Sequence, residues 1–308
     1  MLTEVDLRRA LVVSSSSPTA DAWAGALRVA LLAVGMALVL AGVVFFFAYN
    51  WASLGRLAKL STVGGALLAA GGGVLFVGPE RPVGKALLFA AAMLTGVLLA
   101  VYGQAYQTGA DSYLLFGTWA VLVSPWALGA ASWPVLVLLI TLLEITLLTY
   151  WDACVGSSGR TAWLALSASA IPLTAWLGAE AFAGRVPWLS PRGLARLFGL
   201  AALFPVTLGS CAFVLDSGRH GIDVLPLVLA VTLIVATIVR YRGRDAFLLA
   251  AAAASTIAIV TTALGHALAP ARGDGAIVFL SVGLALVVEV GAATAWLRIE
   301  ARKIGGDA

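Results

Sequence analysis

Long apolar runs, separated by short polar connections, repeat along almost the whole chain. A helix needs about 20 predominantly apolar residues, within a range of about 17–25, to cross the hydrocarbon core of a bilayer. Runs of this kind cover 27–49, 57–77, 86–103, 113–131, 133–151, 162–183, 194–215, 222–240, 246–269 and 276–297. The pattern therefore predicts an all-α fold, a polytopic integral membrane helix bundle of about ten transmembrane helices.

Only four uncharged residues, Ala131 to Pro134, separate the fourth run from the fifth. Proline suits the first turn of a helix and disrupts its interior. A continuous run of about 39 residues would also be too long for one crossing. We therefore expect two helices here, with a break between them.

Composition agrees with a chain embedded in lipid. Its 308 residues are 61% hydrophobic and 11% charged, and the mean hydropathy is +1.01. A soluble domain has about 25% charged residues, so a soluble fold of this chain would expose too much apolar surface to water. The net charge of +4 does not indicate nucleic-acid binding, because the basic residues are scattered between the apolar runs.

The positions of Lys and Arg predict the orientation. If successive runs cross in opposite directions, fourteen of the nineteen basic residues fall on one face. The positive-inside rule makes that face cytoplasmic, so both termini are expected in the cytoplasm. The larger set is Arg8, Arg9, Arg28, Arg81, Lys85, Arg185, Arg192, Arg196, Arg240, Arg242, Arg244, Arg298, Arg302 and Lys303. The smaller set is Arg56, Lys59, Arg160, Arg219 and Arg272.

These patterns predict four segments. They are a cytoplasmic N-terminal segment (1–26), an N-terminal five-helix half (27–151), a C-terminal five-helix half (152–298) and a cytoplasmic tail (299–308). Residues 3–13 are expected to form a short helix within the first segment. The first apolar run is too long for the h-region of a cleavable signal peptide, so we expect it to be a permanent span.

A polar segment without basic residues, YGQAYQTGADSY at 102–113, joins the third and fourth runs. The predicted orientation puts it on the outer face. One interpretation is an interfacial turn in which Asp111 or Ser112 caps the next helix. The other is an outer-face polar site that the first outer connection completes. The candidate residues of that site are Asn50, Trp51, Gln104, Tyr106, Gln107 and Asp111.

The same two connections carry a resemblance to a known family. Asn50-Trp51 follows the first run, in FFFAYNWASLGRLAKL, and Gly103-Gln104-Ala105-Tyr106 precedes the fourth. Their order and spacing resemble the bacterial predicted-membrane-protein family called domain of unknown function 2157, over about residues 25–150. The resemblance implies a location in the bacterial inner membrane. It implies no activity, because none is assigned to the family. We expect Asn50 and Gln104 to approach each other, since both end adjacent polar connections.

Acidic residues inside the runs are the other candidates. A carboxylate near mid-bilayer costs at least ~2.5–3.5 kcal/mol on insertion scales, so it is expected to be protonated, paired or lining water. Glu144 in the fifth run and Glu289 in the tenth are the candidate intramembrane acids. Glu289 is the better placed for proton or ion coupling, and a neutral acid bonded to a neighbouring helix is the alternative. Glu180, near the end of its run, is expected to pair with Arg185.

No motif indicates a catalytic, cofactor-binding or metal site. The sequence has no phosphate-binding loop, dinucleotide fingerprint, nucleophile elbow or HExxH motif. Two histidines and three carboxylates near outer helix ends do not follow metal-ligand spacing. They are His220, His266, Asp216, Asp223 and Asp274. Cys154 and Cys211 lie in no CxxC pattern, and we expect two free thiols.

Three functions remain open, and the sequence favours a non-enzymatic one. The first is a small-solute or ion transporter or a channel-like subunit, indicated by the number of runs, their glycines and the two acids. The second is a non-catalytic scaffold or partner subunit of an envelope complex, which would contact another membrane or periplasmic protein. The third is a membrane-embedded enzyme on a lipid-linked substrate, which needs Asp152, His220 and His266 to converge. The expected surroundings are the lipid bilayer, with no nucleic acid and no cofactor.

Overall fold

The regular structure of the chain is helical throughout the part that can be described. The computed structural model describes residues 20–51, 53–155, 160–182, 184–189, 191–215, 221–268 and 275–306. Within these ranges there are ten α-helices, two short 3-10 turns and no strand. The helices are α1 (Ala20–Asn50), α2 (Arg56–Val77), α3 (Pro82–Tyr106), α4 (Ser112–Gly129), α5 (Trp133–Cys154), α6 (Arg160–Phe182), α7 (Arg192–Leu215), α8 (Leu225–Tyr241), α9 (Ala246–Leu268) and α10 (Gly275–Gly306).

Each helix corresponds to one of the ten predicted runs, and a polytopic helical membrane bundle is confirmed. Eight of the described helices are long and apolar enough to cross a membrane. Outside that set, α8 has 17 residues, the lower limit for a span. The second helix outside that set is α1, several of whose side chains are not among those described. The short helix expected at 3–13 lies outside the described residues.

The break predicted between the fourth and fifth runs is present. Helix α4 ends at Gly129, and α5 begins at Trp133 with Pro134 in its first turn. Between them Ala131 has a φ of +50°, a left-handed conformation that is uncommon for a residue with a side chain. The chain therefore leaves one helix and enters the next within a few residues.

The chain divides into two compact units, residues 1–62 and 63–308. In the first unit, the Lys59 ammonium lies 4.7 Å from the centre of the Trp51 ring, just after α1. A cation on an aromatic face is typical of the end of a membrane span. The division into two five-helix halves remains a prediction.

In the second unit each helix from α3 to α10 packs against the next along the chain, and α7 also packs against α9. The connections are short, so successive helices run in opposite directions. The end of α6, the start of α7, the end of α8, the start of α9 and the end of α10 therefore lie at one end of the bundle. We call this the charged end, after the residues Glu180, Arg192, Arg196, Arg240, Arg244, Asp245 and Glu300.

Glycines allow close approaches between helices in the second unit. The Trp119 indole of α4 donates a hydrogen bond to the Ala92 carbonyl at 2.8 Å, and its ring lies where a Cβ at Gly96 of α3 would be. At Gly209 of α7 a Cβ would meet Ala165 of α6. Small residues are needed at such positions because helices in lipid associate by close packing rather than by a hydrophobic force.

Candidate functional site

Glu144 lies on the wall of a cavity between α5, α6 and α7. The cavity has a volume of about 540 Å³, within the range of about 300–1,000 Å³ that ligand pockets occupy. Its walls are mostly apolar, and the Glu144 carboxyl and the Thr161 hydroxyl are its polar side-chain groups. An occupant would therefore meet one acidic group in largely hydrocarbon surroundings.

One oxygen of this carboxyl has no hydrogen-bond partner among the described residues. Glu144 Oε1 is buried and makes no hydrogen bond within the described part of the chain. Glu144 lies near the middle of α5, well away from either end of that helix. Burying an isolated carboxylate is costly, so we expect the group to carry a proton or to lie close to a positively charged occupant of the cavity.

Two prolines add acceptors to the same cavity. Pro172 lies inside α6 and Pro205 inside α7, and both line the wall. Because proline has no N–H, the carbonyl four residues earlier loses its helical partner. Those carbonyls belong to Ala168 and Ala201, which also line the cavity. The residues whose carbonyls lose their helical partners therefore line the same cavity as Glu144.

Glu289, the other intramembrane acid, has a partner on a neighbouring helix. The Thr261 hydroxyl of α9 donates a hydrogen bond of 2.6 Å to Glu289 Oε2. The carboxyl borders an apolar groove of about 350 Å³ between α8, α9 and α10. Bonding to a neighbouring helix was one of the two interpretations of this residue. The sequence favoured Glu289 over Glu144 for proton or ion coupling, yet Glu144 is the acid whose carboxyl has a buried oxygen without a described hydrogen-bond partner.

Most of the candidate outer-face residues lie where α3 ends and α4 begins. The side chains of Gln104, Tyr106, Gln107 and Asp111 are exposed. Gln107 ends α3 in a left-handed conformation, with φ of 49°, and Tyr106 packs on Tyr102 with ring centres 4.8 Å apart. These residues form a polar turn on the surface, and none of them lines a cavity described here.

The proposed helix cap at this turn is absent, and the proposed pairing with α1 remains a prediction. Asp111 occupies the position before α4, but its side chain makes no capping hydrogen bond. Asn50 is the last residue of α1, and its side chain is not among those described. An approach between Asn50 and Gln104 therefore stays an expectation.

At the charged end, Asp245 joins two helices. Arg196 Nε of α7 donates to both carboxylate oxygens of Asp245, at 3.2 and 2.9 Å. Asp245 Oδ1 also accepts the backbone N–H groups of Phe247 and Leu248, at 3.0 and 3.3 Å. Asp245 therefore caps α9 and pairs with α7 at the same time.

Glu180 pairs with Arg240, not with the expected Arg185. Arg240 Nη2 donates to Glu180 Oε2 at 3.0 Å. Helix packing brings the end of α8 against the end of α6, whereas Arg185 lies beyond the end of α6. Nearby, the Trp176 indole N–H donates to the Tyr241 hydroxyl at 3.1 Å. Proximity in the sequence therefore did not predict this ion pair.

Glu300 is fully buried at the end of α10. Its Oε1 accepts Arg242 Nε at 3.0 Å and Lys303 Nζ at 2.9 Å. Its Oε2 is buried without a hydrogen-bond partner in the described residues. The ion pairs attach the connection between α8 and α9 to the last helix, and no sequence motif indicated them.

The convergence of Asp152, His220 and His266 that an enzyme would need remains a hypothesis. His266 lies in the last turn of α9 and Asp152 near the end of α5, but His220 lies outside the described residues. So do Asp216 and Asp274. Among the described residues, no group of three or more His, Cys, Asp or Glu is close enough to hold a metal ion.

Both cysteines are free thiols in the structure. Cys154, at the end of α5, is exposed. Cys211 is partly buried in α7, where its Sγ lies 3.7 Å from the Ala258 carbonyl and 3.5 Å from the Thr262 hydroxyl. Cys211 therefore belongs to the packing between α7 and α9.

Comparisons with known proteins identify one relationship. No curated protein and no solved structure matches the chain. One family model, described as a predicted membrane protein (DUF2157), matches residues 12–136. The match includes both motifs that carried the resemblance, Asn50-Trp51 and Gly103-Gln104-Ala105-Tyr106, whereas Glu144 and the charged end lie beyond it. The resemblance to the DUF2157 family is thus confirmed over the N-terminal part of this membrane protein.

Proposed function

We propose that this multi-pass membrane protein moves a small solute or an ion across the bilayer, with the Glu144 cavity as its binding site. The observation that carries the proposal is the Glu144 carboxyl group on a cavity wall in the middle of α5, one oxygen of which is buried without a hydrogen-bond partner among the described residues. Ionisable residues inside spans are costly, and they commonly mark substrate or ion pathways. A buried carboxyl oxygen without a hydrogen-bond partner destabilises helix packing, so a purely structural role does not explain it.

The chemistry of the cavity favours an occupant with a proton or a positive charge to offer. The carboxyl and the carbonyls of Ala168 and Ala201 are all acceptors, and an anion would be repelled by them. Apart from the Thr161 hydroxyl, the rest of the wall is apolar. A proton, a small cation or an ammonium group with a hydrocarbon body would satisfy the acceptors and leave no polar group unpaired.

The two prolines support the same interpretation. Pro172 and Pro205 interrupt the backbone hydrogen bonds of α6 and α7 beside the cavity. Discontinuous helices border the substrate sites of many transporters, where freed carbonyls take part in binding. Non-helical or unpaired backbone is tolerated in the bilayer where it lines a cavity.

Flux into proteoliposomes tests the proposal. Purified full-length protein would be reconstituted, and entry of protons, Na⁺, K⁺ and methylammonium would be measured under an imposed potential. We expect one of these to be transported, and we expect Glu144→Gln to reduce the initial rate at least tenfold, because the amide keeps the shape but loses the charge. Glu80→Gln, at an exposed residue between α2 and α3, is the matched control and should transport normally.

Two results would contradict the proposal. One is the absence of protein-dependent flux for all four probes. The other is a Glu144→Gln variant that transports at the same rate as the Glu80→Gln control. A folded variant is required for either conclusion, which the elution volume in size-exclusion chromatography would establish.

A second candidate is a scaffold that docks another envelope protein on the polar turn after α3. The observation that favours it is the exposure of Gln104, Tyr106, Gln107 and Asp111 side by side. A photo-crosslinking residue at Tyr106 should give one discrete adduct in cells. The same residue at Val97, exposed on the same helix, should give only lipid adducts. Identical adduct patterns at the two positions would exclude a specific partner at this turn.

A further inference from the structure

A basic cavity at the charged end continues into an apolar groove. The cavity has a volume of about 200 Å³ and lies between the end of α6, the start of α7, the end of α8 and the start of α9. Three arginines line it, Arg192, Arg240 and Arg244. This cavity is separate from the Glu144 cavity and shares no residue with it.

The cavity has more positive than negative charge. Of its two acids, Glu180 is paired with Arg240, and Asp245 is paired with Arg196, which does not line the cavity. Arg192 and Arg244 make no ion pair or side-chain hydrogen bond within the described residues. Two guanidinium groups at the cavity are therefore available to an anion.

The groove lies between α6 and α8 and has a volume of about 290 Å³. Its two walls are rows of side chains at helical spacing. They are Leu173, Trp176, Leu177 and Ala181 on α6, and Leu233, Ala236 and Thr237 on α8. With Arg240 and Tyr241, which also line the groove, the α8 row extends like the α6 row over about eight residues, or about 12 Å at 1.5 Å per residue. Glu180, Arg240 and Tyr241 belong to both the groove and the cavity, so the apolar groove begins where the basic cavity ends.

We propose that this combined site binds an anionic phospholipid, with the phosphate in the arginine-lined cavity and an acyl chain in the groove. Guanidinium groups match the geometry of phosphate oxygens and bind them with paired hydrogen bonds. Basic pockets between transmembrane helices bind anionic headgroups by this chemistry. A free phosphate ion would use only the cavity, whereas a phospholipid uses the cavity and the groove together.

The wall of the groove is held in place before the lipid binds. The Trp176 ring stacks on the Tyr241 ring with centres 5.9 Å apart, and its N–H donates to the Tyr241 hydroxyl at 3.1 Å. The tyrosine in turn lies next to Arg240, which is fixed by Glu180. Because these groups are already ordered, little conformational entropy is lost when a chain lies along them.

Native mass spectrometry of the full-length protein tests the proposal. The protein would be purified in detergent and equilibrated with equal amounts of phosphatidylglycerol and phosphatidylcholine that carry identical acyl chains. We expect the wild type to retain the anionic lipid in preference. In the double variant Arg192→Gln/Arg244→Gln the preference for the anionic lipid should fall at least fivefold. Both arginines are exposed and make no described ion pair, so we expect the variant to fold. Arg185→Gln, at the same connection but outside the cavity, should behave as wild type.

A groove variant separates a lipid from a free phosphate. Ala236→Phe would fill the groove and leave Arg192 and Arg244, which do not line it, in place, and it should lower retention of the anionic lipid at least fivefold. Binding of inorganic phosphate, measured by calorimetry, should be unchanged in this variant. Unchanged lipid preference in the arginine double variant would overturn the proposal. Unchanged lipid retention in Ala236→Phe, with phosphate bound by the wild type, would assign the cavity to a free phosphate instead.

Discussion

Asp245 unites two interactions whose contributions to stability can be separated by mutation. Asp245 is buried, and its side chain pairs with Arg196 of α7 and caps the first turn of α9 through Phe247 and Leu248. Asp245→Ala removes both interactions. Asp245→Asn removes the charge but keeps a side-chain oxygen that can still accept the backbone N–H groups.

The structure gives an approximate size for each contribution. Loss of a helix cap costs about 1 kcal/mol, within a range of about 0.5–2. The ion pair lies between two regimes, since exposed pairs contribute about 0–1 kcal/mol and breaking a buried pair costs about 3–5. The Arg196 side chain is 39% exposed and that of Asp245 10%, so we expect about 1–2 kcal/mol. Asp245→Ala should therefore cost about 2–3 kcal/mol and Asp245→Asn about 1–2 kcal/mol.

The assay is equilibrium unfolding of the purified protein in mixed detergent micelles. A double-mutant cycle of Asp245→Asn with Arg196→Gln isolates the ion pair. Asp111→Asn is the matched control, because Asp111 precedes α4 without a capping hydrogen bond, and it should change stability by less than about 0.5 kcal/mol. Equal losses for Asp245→Ala and Asp245→Asn would refute the cap. A coupling energy near zero would refute the ion pair.

Two other substitutions test the packing of the second unit in the same assay. Gly96→Ala should destabilise by about 1–3 kcal/mol, because its Cβ would overlap the facing indole, whereas Gly103→Ala meets only ordinary contact distances and should be nearly neutral. Trp176→Phe should cost about 0.5–1.5 kcal/mol through the lost hydrogen bond to a tyrosine hydroxyl. Trp163→Phe, at an exposed ring, should cost less, and equal losses at the two tryptophans would contradict this expectation.

The helices could be predicted from the sequence because lipid simplifies the problem. Backbone polar groups in the hydrocarbon region must be paired within a segment, so each long apolar run has to be a helix. The break at Ala131–Pro134 followed from the same argument and from proline geometry. The position where α10 ends could not be predicted in this way. This helix continues to Gly306, beyond the apolar run, where the buried Glu300 and its partners Arg242 and Lys303 hold it.

The partners of charged side chains could not be predicted, because they depend on which helices are neighbours. Glu180 and Arg240 are 60 residues apart, and nothing in the periodicity of either run indicates that α6 and α8 pack together. Sequence proximity suggested Arg185 instead. Asp245 illustrates the same point, since its cap is local but its ion-pair partner Arg196 lies 49 residues away.

The two intramembrane acids look alike in the sequence, and only the facing helices distinguish them. The Thr261 hydroxyl donates to Glu289, whereas Glu144 lines a cavity together with Pro172 and Pro205, and its Oε1 has no donor among the described residues. Helices α6 and α7 carry these prolines and also carry Glu180 and Arg196 of the charged end. At 1.5 Å per residue, each proline is about 12–14 Å from the charged residue on its own helix. Transport through the proposed site would require the cavity to open, and the prolines lie where α6 and α7 can bend while the ion pairs keep one end of both helices in place.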